Sequence, residues 1–181
     1  MRKKKTWREK LADNKDLPKV VPLRGKAALK WGKGTLAIPA PLEVDALMRS
    51  VPKRRVITID VMRACIARKQ GATMGCPLTT GIFAWLAAHA ANEAATEGAE
   101  RITPYWRTLK SGGELNPKYP GGVEAQKIRL EGEGHKIKQR GKRYHRHRLR
   151  EGPGSAKLIT LRRLADLRPL TSDLRHYARF D

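Results

Sequence analysis

The stretch Ile102–Gly122 reads ITPYWRTLKSGGELNPKYPGG. It gathers two adjacent aromatics, an arginine, a Gly-Gly turn and a Tyr-Pro-Gly-Gly turn into one short span. It holds too many breakers for a helix, and reads as a buried loop feeding a hairpin. A glycine-rich loop held between helices by aromatics suits a ligand site, whereas a rigid connecting turn would have the same composition. Other chemistry is thin. There is no Walker loop, dinucleotide fingerprint, HExxH helix or nucleophile elbow. His89, His135, His145, His147 and His176 lack carboxylate or thiol partners at ligand spacing, and the arginines around His145 and His147 repel a cation, so that pair reads as a basic strand. Cys65 and Cys76 form neither a disulfide framework nor a zinc site. A thiolate at Cys76 would gain from a helix N-terminus, but no histidine is close in sequence to activate it, and it reads as structural. No cofactor and no metal are expected.

The charge narrows the partner. Among 181 residues, 39 Lys and Arg oppose 17 Asp and Glu, a net charge of +22. A domain this basic repels itself unless it meets a polyanion, which puts nucleic acid first and an anionic membrane surface second. The sequence holds no apolar run long enough to span a bilayer and no signal-peptide layout. A reduced, cytoplasmic, nucleoid-associated protein without a membrane partner is the expectation.

The elements that would position the loop follow in order. Residues 1–37 are basic and broken by Pro and Gly, with room for a helical turn or two around Trp7–Leu11, and read as a flexible arm that either stays a solvated tail or, with Trp7 and Trp31 among lysines, lies along a phosphate backbone. A globular unit is expected over 38–147. It opens with a short helix over Leu42–Arg49 and a brief extended piece over Arg55–Ile57. Thr58 then suits the N-cap of a helix over Ile59–Lys69, which Gly71 stops. A second, apolar and alanine-rich helix runs to about Glu97. Two such helices joined by a short link, in a basic protein, are consistent with helix-turn-helix, and equally with any α-hairpin. A helix over Gly122–Glu131 and a basic hairpin over His135–Tyr144 follow the loop. Residues 148–181 read as a basic appendage, with a short helix on leucines 158, 161, 164 and 167. The fold class is mostly α with small β elements.

Over about residues 42–137 the order of motifs resembles the DNA-binding domain of the methylated-DNA–protein-cysteine methyltransferases. The residues that carry this are Val51-Pro52-Lys53-Arg54, Pro104-Tyr105-Trp106-Arg107, Ser111-Gly112-Gly113, Tyr119-Pro120-Gly121-Gly122, and Leu130 through Glu133-Gly134. The resemblance implies a winged helix-turn-helix domain with basic extensions. The family's acceptor Cys and activating His fall at Tyr105 and Trp106, its base-flipping Tyr at Ile59 and its gap-filling Arg at Gly81. A phenol without a base is a poor nucleophile. The chain is therefore similar to the alkyltransferase-like members, which lack the acceptor Cys, bind alkylated DNA without repairing it and pass the lesion to excision-repair proteins.

On that resemblance the expected function is non-catalytic binding of double-stranded DNA that recognises an alkylated or flipped base. Lys53, Arg54, Arg55, Thr58, Thr79, Thr80, Trp85, Arg107 and Ser111 are the expected DNA contacts. Tyr105, Trp106 and Tyr119 are expected to line a base pocket. Two alternatives stay open: a basic winged-helix accessory protein for RNA or the nucleoid, and an active methyltransferase working through Cys76.

Overall fold

The structure, a computed structural model, describes residues 4–141, 143–146 and 157–158. It is a mixed architecture in which helices predominate over small sheets. In chain order its elements are α1 (Trp7–Ala12), β1 (Lys19–Pro22), α2 (Gly25–Trp31), β2 (Thr35–Ile38), α3 (Pro41–Arg49), β3 (Arg55–Thr58), α4 (Ile59–Lys69), β4 (Met74–Gly75) and α5 (Pro77–Thr96). Then come a 3-10 turn over Tyr105–Arg107, β5 (Thr108–Leu109), a turn over Ser111–Gly113, α6 (Gly122–Gly132), β6 (Ile137–Arg140), β7 (Arg143–Arg146) and β8 (Lys157–Leu158).

Helix α5 is the axis of the core. Proline at its first position is free of the cost that it carries inside a helix. The buried alanines Ala84, Ala87, Ala88, Ala90 and Ala91 let other helices approach closely. Val44, Leu47 and Met48 of α3 and Met62 and Ile66 of α4 belong to the same buried cluster. A second cluster, Val56, Leu109, Leu115 and Leu130, lies under α6.

Three small sheets brace the helices. β1 pairs antiparallel with β2, and β2 pairs parallel with β4 through Leu36–Met74 and Ala37–Gly75. β3 pairs parallel with β5 through Ile57–Thr108, and with β8 through Val56–Leu158. β6 and β7 form a hairpin. The central loop therefore forms no hairpin of its own, because its one strand, β5, is taken up by β3. Leu158, expected at the head of a helix, lies in a strand. The remainder of the expected C-terminal appendage falls outside the described residues, as does His147.

The flexible arm expected over residues 1–37 is corrected from Thr6 onward. Thr6 and Glu9 form a reciprocal capping box on α1, each side chain accepting from the other's backbone N–H. The backbone amides of Trp7 and Arg8 donate to the Glu93 carboxylate of α5 at 3.1 and 2.9 Å. The Trp7 ring meets Trp85 edge-on at 4.9 Å and stacks on His89 at 4.7 Å. Composition hid this, because the apolar content of the segment is small and falls on single residues such as the buried Leu11.

Replacing Glu93 by Ala removes the acceptor for two amides at the start of α1. The expected loss is about 1–2 kcal/mol, of the order of a lost helix cap, with tryptophan emission shifting to that of a more exposed ring. Unchanged emission and an unchanged urea midpoint would show that α1 is held by other contacts.

Candidate nucleic-acid interface

The site is built around one carboxylate. Glu133, just beyond α6, is buried and accepts from the Trp106 indole Nε1 at 2.8 Å and from Arg107 Nε at 3.0 Å on both oxygens. The backbone N–H of Arg54 donates to it at 3.0 Å. Arg107 also donates to the Val51 carbonyl at 2.7 Å, so one guanidinium ties the end of α6 to the turn before β3. Burial alone would raise the Glu133 carboxyl, but the bonds from Arg107, Trp106 and Arg54 outweigh it and hold the group below the usual carboxylate range. Above Trp106 sits the Arg129 guanidinium, 4.6 Å from the ring centroid.

A second clamp is the buried Gln126 of α6. Its Nε2 donates to the carbonyls of Trp106 and Thr108 at 3.0 and 3.2 Å, and its Oε1 accepts from the Asn116 backbone at 2.7 Å. Its amide thus fixes both limbs of the loop between Trp106 and Asn116, with every bond to backbone.

Between this loop and α5 lies a cavity of about 220 Å³. Pro77, Gly81 and Ala84, spaced one helical turn apart, form its α5 wall, with Ile59 beside them. The facing wall is Leu109, Lys110, Ser111, Glu114, Asn116 and Tyr119. The small α5 residues make the room, since a Cβ at Gly81 would meet nothing within 4 Å. Lys110 Nζ bonds the Glu114 carboxylate at 2.8 Å, and Ser111 Oγ donates to Asp60 of α4 at 3.0 Å. The cavity is smaller than a drug-sized site of about 300–1,000 Å³, and pairs an apolar face with a few polar groups.

No family model matches the chain, and no curated protein matches it. Among solved structures it is similar to S. pombe Atl1, crystallised in complex with damaged DNA containing O6-carboxymethylguanine, at 24% sequence identity and a TM-score of 0.42, over 60% of this chain and 88% of that one.

The structure divides the expected base pocket. Tyr119 lines the cavity, whereas Tyr105 is 2% exposed and packs edge-on between Trp106 and Tyr119. Trp106 is half-buried with its indole nitrogen committed to Glu133. These two are loop anchors, and the expectation that they line the pocket is corrected. Burial pushes the Tyr105 phenol above its ordinary value and the Tyr119 phenol higher still, so both stay protonated and neutral.

The expected DNA contacts are similarly sorted. Lys53 and Arg54 are exposed on the turn before β3, and Arg55 is half-buried. Ser111 is exposed at the cavity wall. Arg107 is half-buried, committed to its bonds with Glu133 and Val51, and fixes the loop. Thr80 is fully buried and bonds the Cys76 carbonyl at 2.7 Å, and Thr58 is buried and makes no side-chain cap bond, so neither offers its hydroxyl to a partner. Trp85 is half-buried under Trp7 and serves the α1–α5 contact. Thr79 is half-buried. Cys76 is buried as the N-cap residue of α5, and burial pushes the Cys65 thiol up.

Sequence reasoning passed over Gln126 and Glu133 as site residues. A Gln inside an apolar helical pattern was the available signal for the first, and a Glu followed by a helix-stopping glycine for the second. Among the described residues no group of three His, Cys, Asp or Glu could hold a metal ion, and no helix is long and apolar enough to cross a membrane.

Beside Glu133, His135 is buried and accepts at Nδ1 from Arg146 Nε at 3.2 Å. Burial, and then the Arg146 charge, push its imidazole down from 6.5 to about 4. The unfolded chain binds the proton near pH 6.5 and the folded chain near pH 4, so stability falls as pH drops through that window. The slope is about 1.4 kcal/mol per pH unit, and urea midpoints for His135→Gln should lose most of it. At neutral pH, Glu133→Ala leaves the half-buried Arg107 and the Trp106 and Arg54 donors without their acceptor and should cost about 1–3 kcal/mol in urea unfolding. A loss below about 1 kcal/mol, the worth of an exposed pair, would remove the hub.

Proposed function

We propose that this chain is a non-catalytic binder of duplex DNA that receives a displaced, alkylated base in the cavity between α5 and the loop Leu109–Tyr119. The cavity carries the reading. It is small, apolar on the α5 side, polar on the loop side, and backed by a loop tied down through Gln126 and Glu133. A planar base stripped from its stack needs an apolar face and a few hydrogen-bonding groups at its edge, and Lys110, Ser111 and Glu114 are in place to supply them.

The surroundings fit a polyanion. The exposed Lys53 and Arg54, with Arg55, precede α4 and suit phosphate contacts, and the net charge of +22 supplies the long-range attraction. On this reading α4 and α5 are the helix-turn-helix pair of a winged helix, β6 and β7 are its wing, and Ser111 stands at the DNA face. The order of motifs from Val51-Pro52 to Glu133-Gly134, with Tyr105 and Trp106 where the methyltransferases have Cys and His, supports binding without transfer. So does the absence of a cysteine from the cavity lining.

Gly81→Leu tests the cavity. The new side chain enters open space from a helix interior, where leucine is the better helix former by several tenths of a kcal/mol, so the fold should hold or gain. Affinities are measured for two duplexes that differ only by one O6-alkylated guanine. The parent should prefer the modified duplex by about 1–3 kcal/mol, the worth of stacking one base. The variant should bind the plain duplex as the parent does and lose that preference. A parent with no preference, or a variant that keeps it, would remove the cavity from the function.

A further inference from the structure

The excursion between β1 and β2 gives the core one residue, the buried Leu23. Its neck is closed by the Leu23 N–H bonding the Gly34 carbonyl at 2.9 Å. Within it α2 buries no residue, and its seven residues are too few to hold a helix by propensity alone. Leu29 is 88% exposed and Trp31 is 39% exposed. From Leu17 to Leu42 the sequence has Lys19, Arg24, Lys26, Lys30 and Lys33 and no acid. Of these Lys19 pairs with Asp16, while the four on the excursion are exposed and make no ion pair among the described residues. Lys30 Nζ lies 5.3 Å from the Trp31 centroid, which keeps one ammonium beside the one large ring.

The excursion is also fixed in place. Thr35 and Thr73 exchange backbone-to-hydroxyl bonds at 3.0 and 3.1 Å, and β2 pairs with β4. β4 is two residues long and runs straight into Cys76, the N-cap residue of α5. The neck is therefore tied through β2 and β4 to the start of α5.

We propose that Arg24, Lys26, Lys30, Lys33 and Trp31 form a second contact surface for the duplex that meets α5, gripping phosphates flanking the site. This rests on the duplex-binding reading above. Four unpaired cations with no acid fit a polyanion, and α2 is too short and has too small an apolar face to seat in a lipid interface. A flanking grip needs no sequence information and lets the cavity sample many positions along DNA before it engages one.

The test compares the parent with a chain carrying Arg24→Ala, Lys26→Ala, Lys30→Ala and Lys33→Ala together. Because α2 buries nothing, the melting temperature should hold. Affinity for a plain duplex several helical turns long is measured across a salt series. The slope of log affinity against log salt should flatten by roughly 2–4, about 0.9 for each lost phosphate contact. The preference for the alkylated duplex should survive, whereas Gly81→Leu should do the reverse, keeping the slope and losing the preference. An unchanged slope in the four-site variant would overturn the second surface and leave the cavity reading intact. A parent that binds no duplex would overturn both. Uptake of the parent, but not the variant, by phosphatidylglycerol vesicles, with equal duplex slopes, would overturn it in favour of a lipid surface.

Discussion

The constraint on which the site depends is the satisfaction of the Glu133 carboxylate. A buried charge is costly unless fully bonded, and here the carboxylate and its partners together come from three separate stretches of chain. Trp106 and Arg107 belong to the central loop, the Arg54 amide to the turn before β3, and Glu133 itself to the end of α6. Meeting that one requirement places the exposed side chains of the 53–55 turn and the loop Leu109–Tyr119 in a fixed relation. Gln126 then completes the loop by occupying backbone groups that the short β5 leaves open.

The cavity follows from a mismatch in side-chain size. On the core side α5 uses alanines to bring α1 and α3 close, and the same economy of size at Gly81 and Ala84 leaves a hollow against the loop. The loop cannot collapse into it, because Gln126 and Glu133 hold its far side. Packing normally eliminates such hollows, so one that persists beside polar side chains is a candidate for occupation.

Helical periodicity made α3, α4 and α5 legible, because each buries apolar residues in the main core, and α6 legible through Leu130 in the second cluster. The Tyr-Pro-Gly-Gly turn likewise marked the start of α6 well. The pairing of β5 with β3 was not legible, since two residues carry no period and the partner lies some fifty positions away. The docking of α1 was hidden because its contacts rest on Trp7, Leu11 and a distant Glu93. Within the loop, the three aromatics expected together divide. Tyr105 and Trp106 are held inward by Glu133 and the core, and Tyr119 is the aromatic left facing the hollow. Linear order does not say which side of a 3-10 turn faces the protein.

The central claim is that a base leaves the duplex and enters the hollow between α5 and the loop. Amide hydrogen exchange on the full chain, free and bound to matched plain and O6-alkylated duplexes, reads this directly. The account predicts that both duplexes protect the turn at Lys53–Arg55, and that the alkylated one adds protection confined to Pro77–Ala84 and Leu109–Tyr119. Identical protection with the two duplexes, or added protection elsewhere with those segments unchanged, would contradict it.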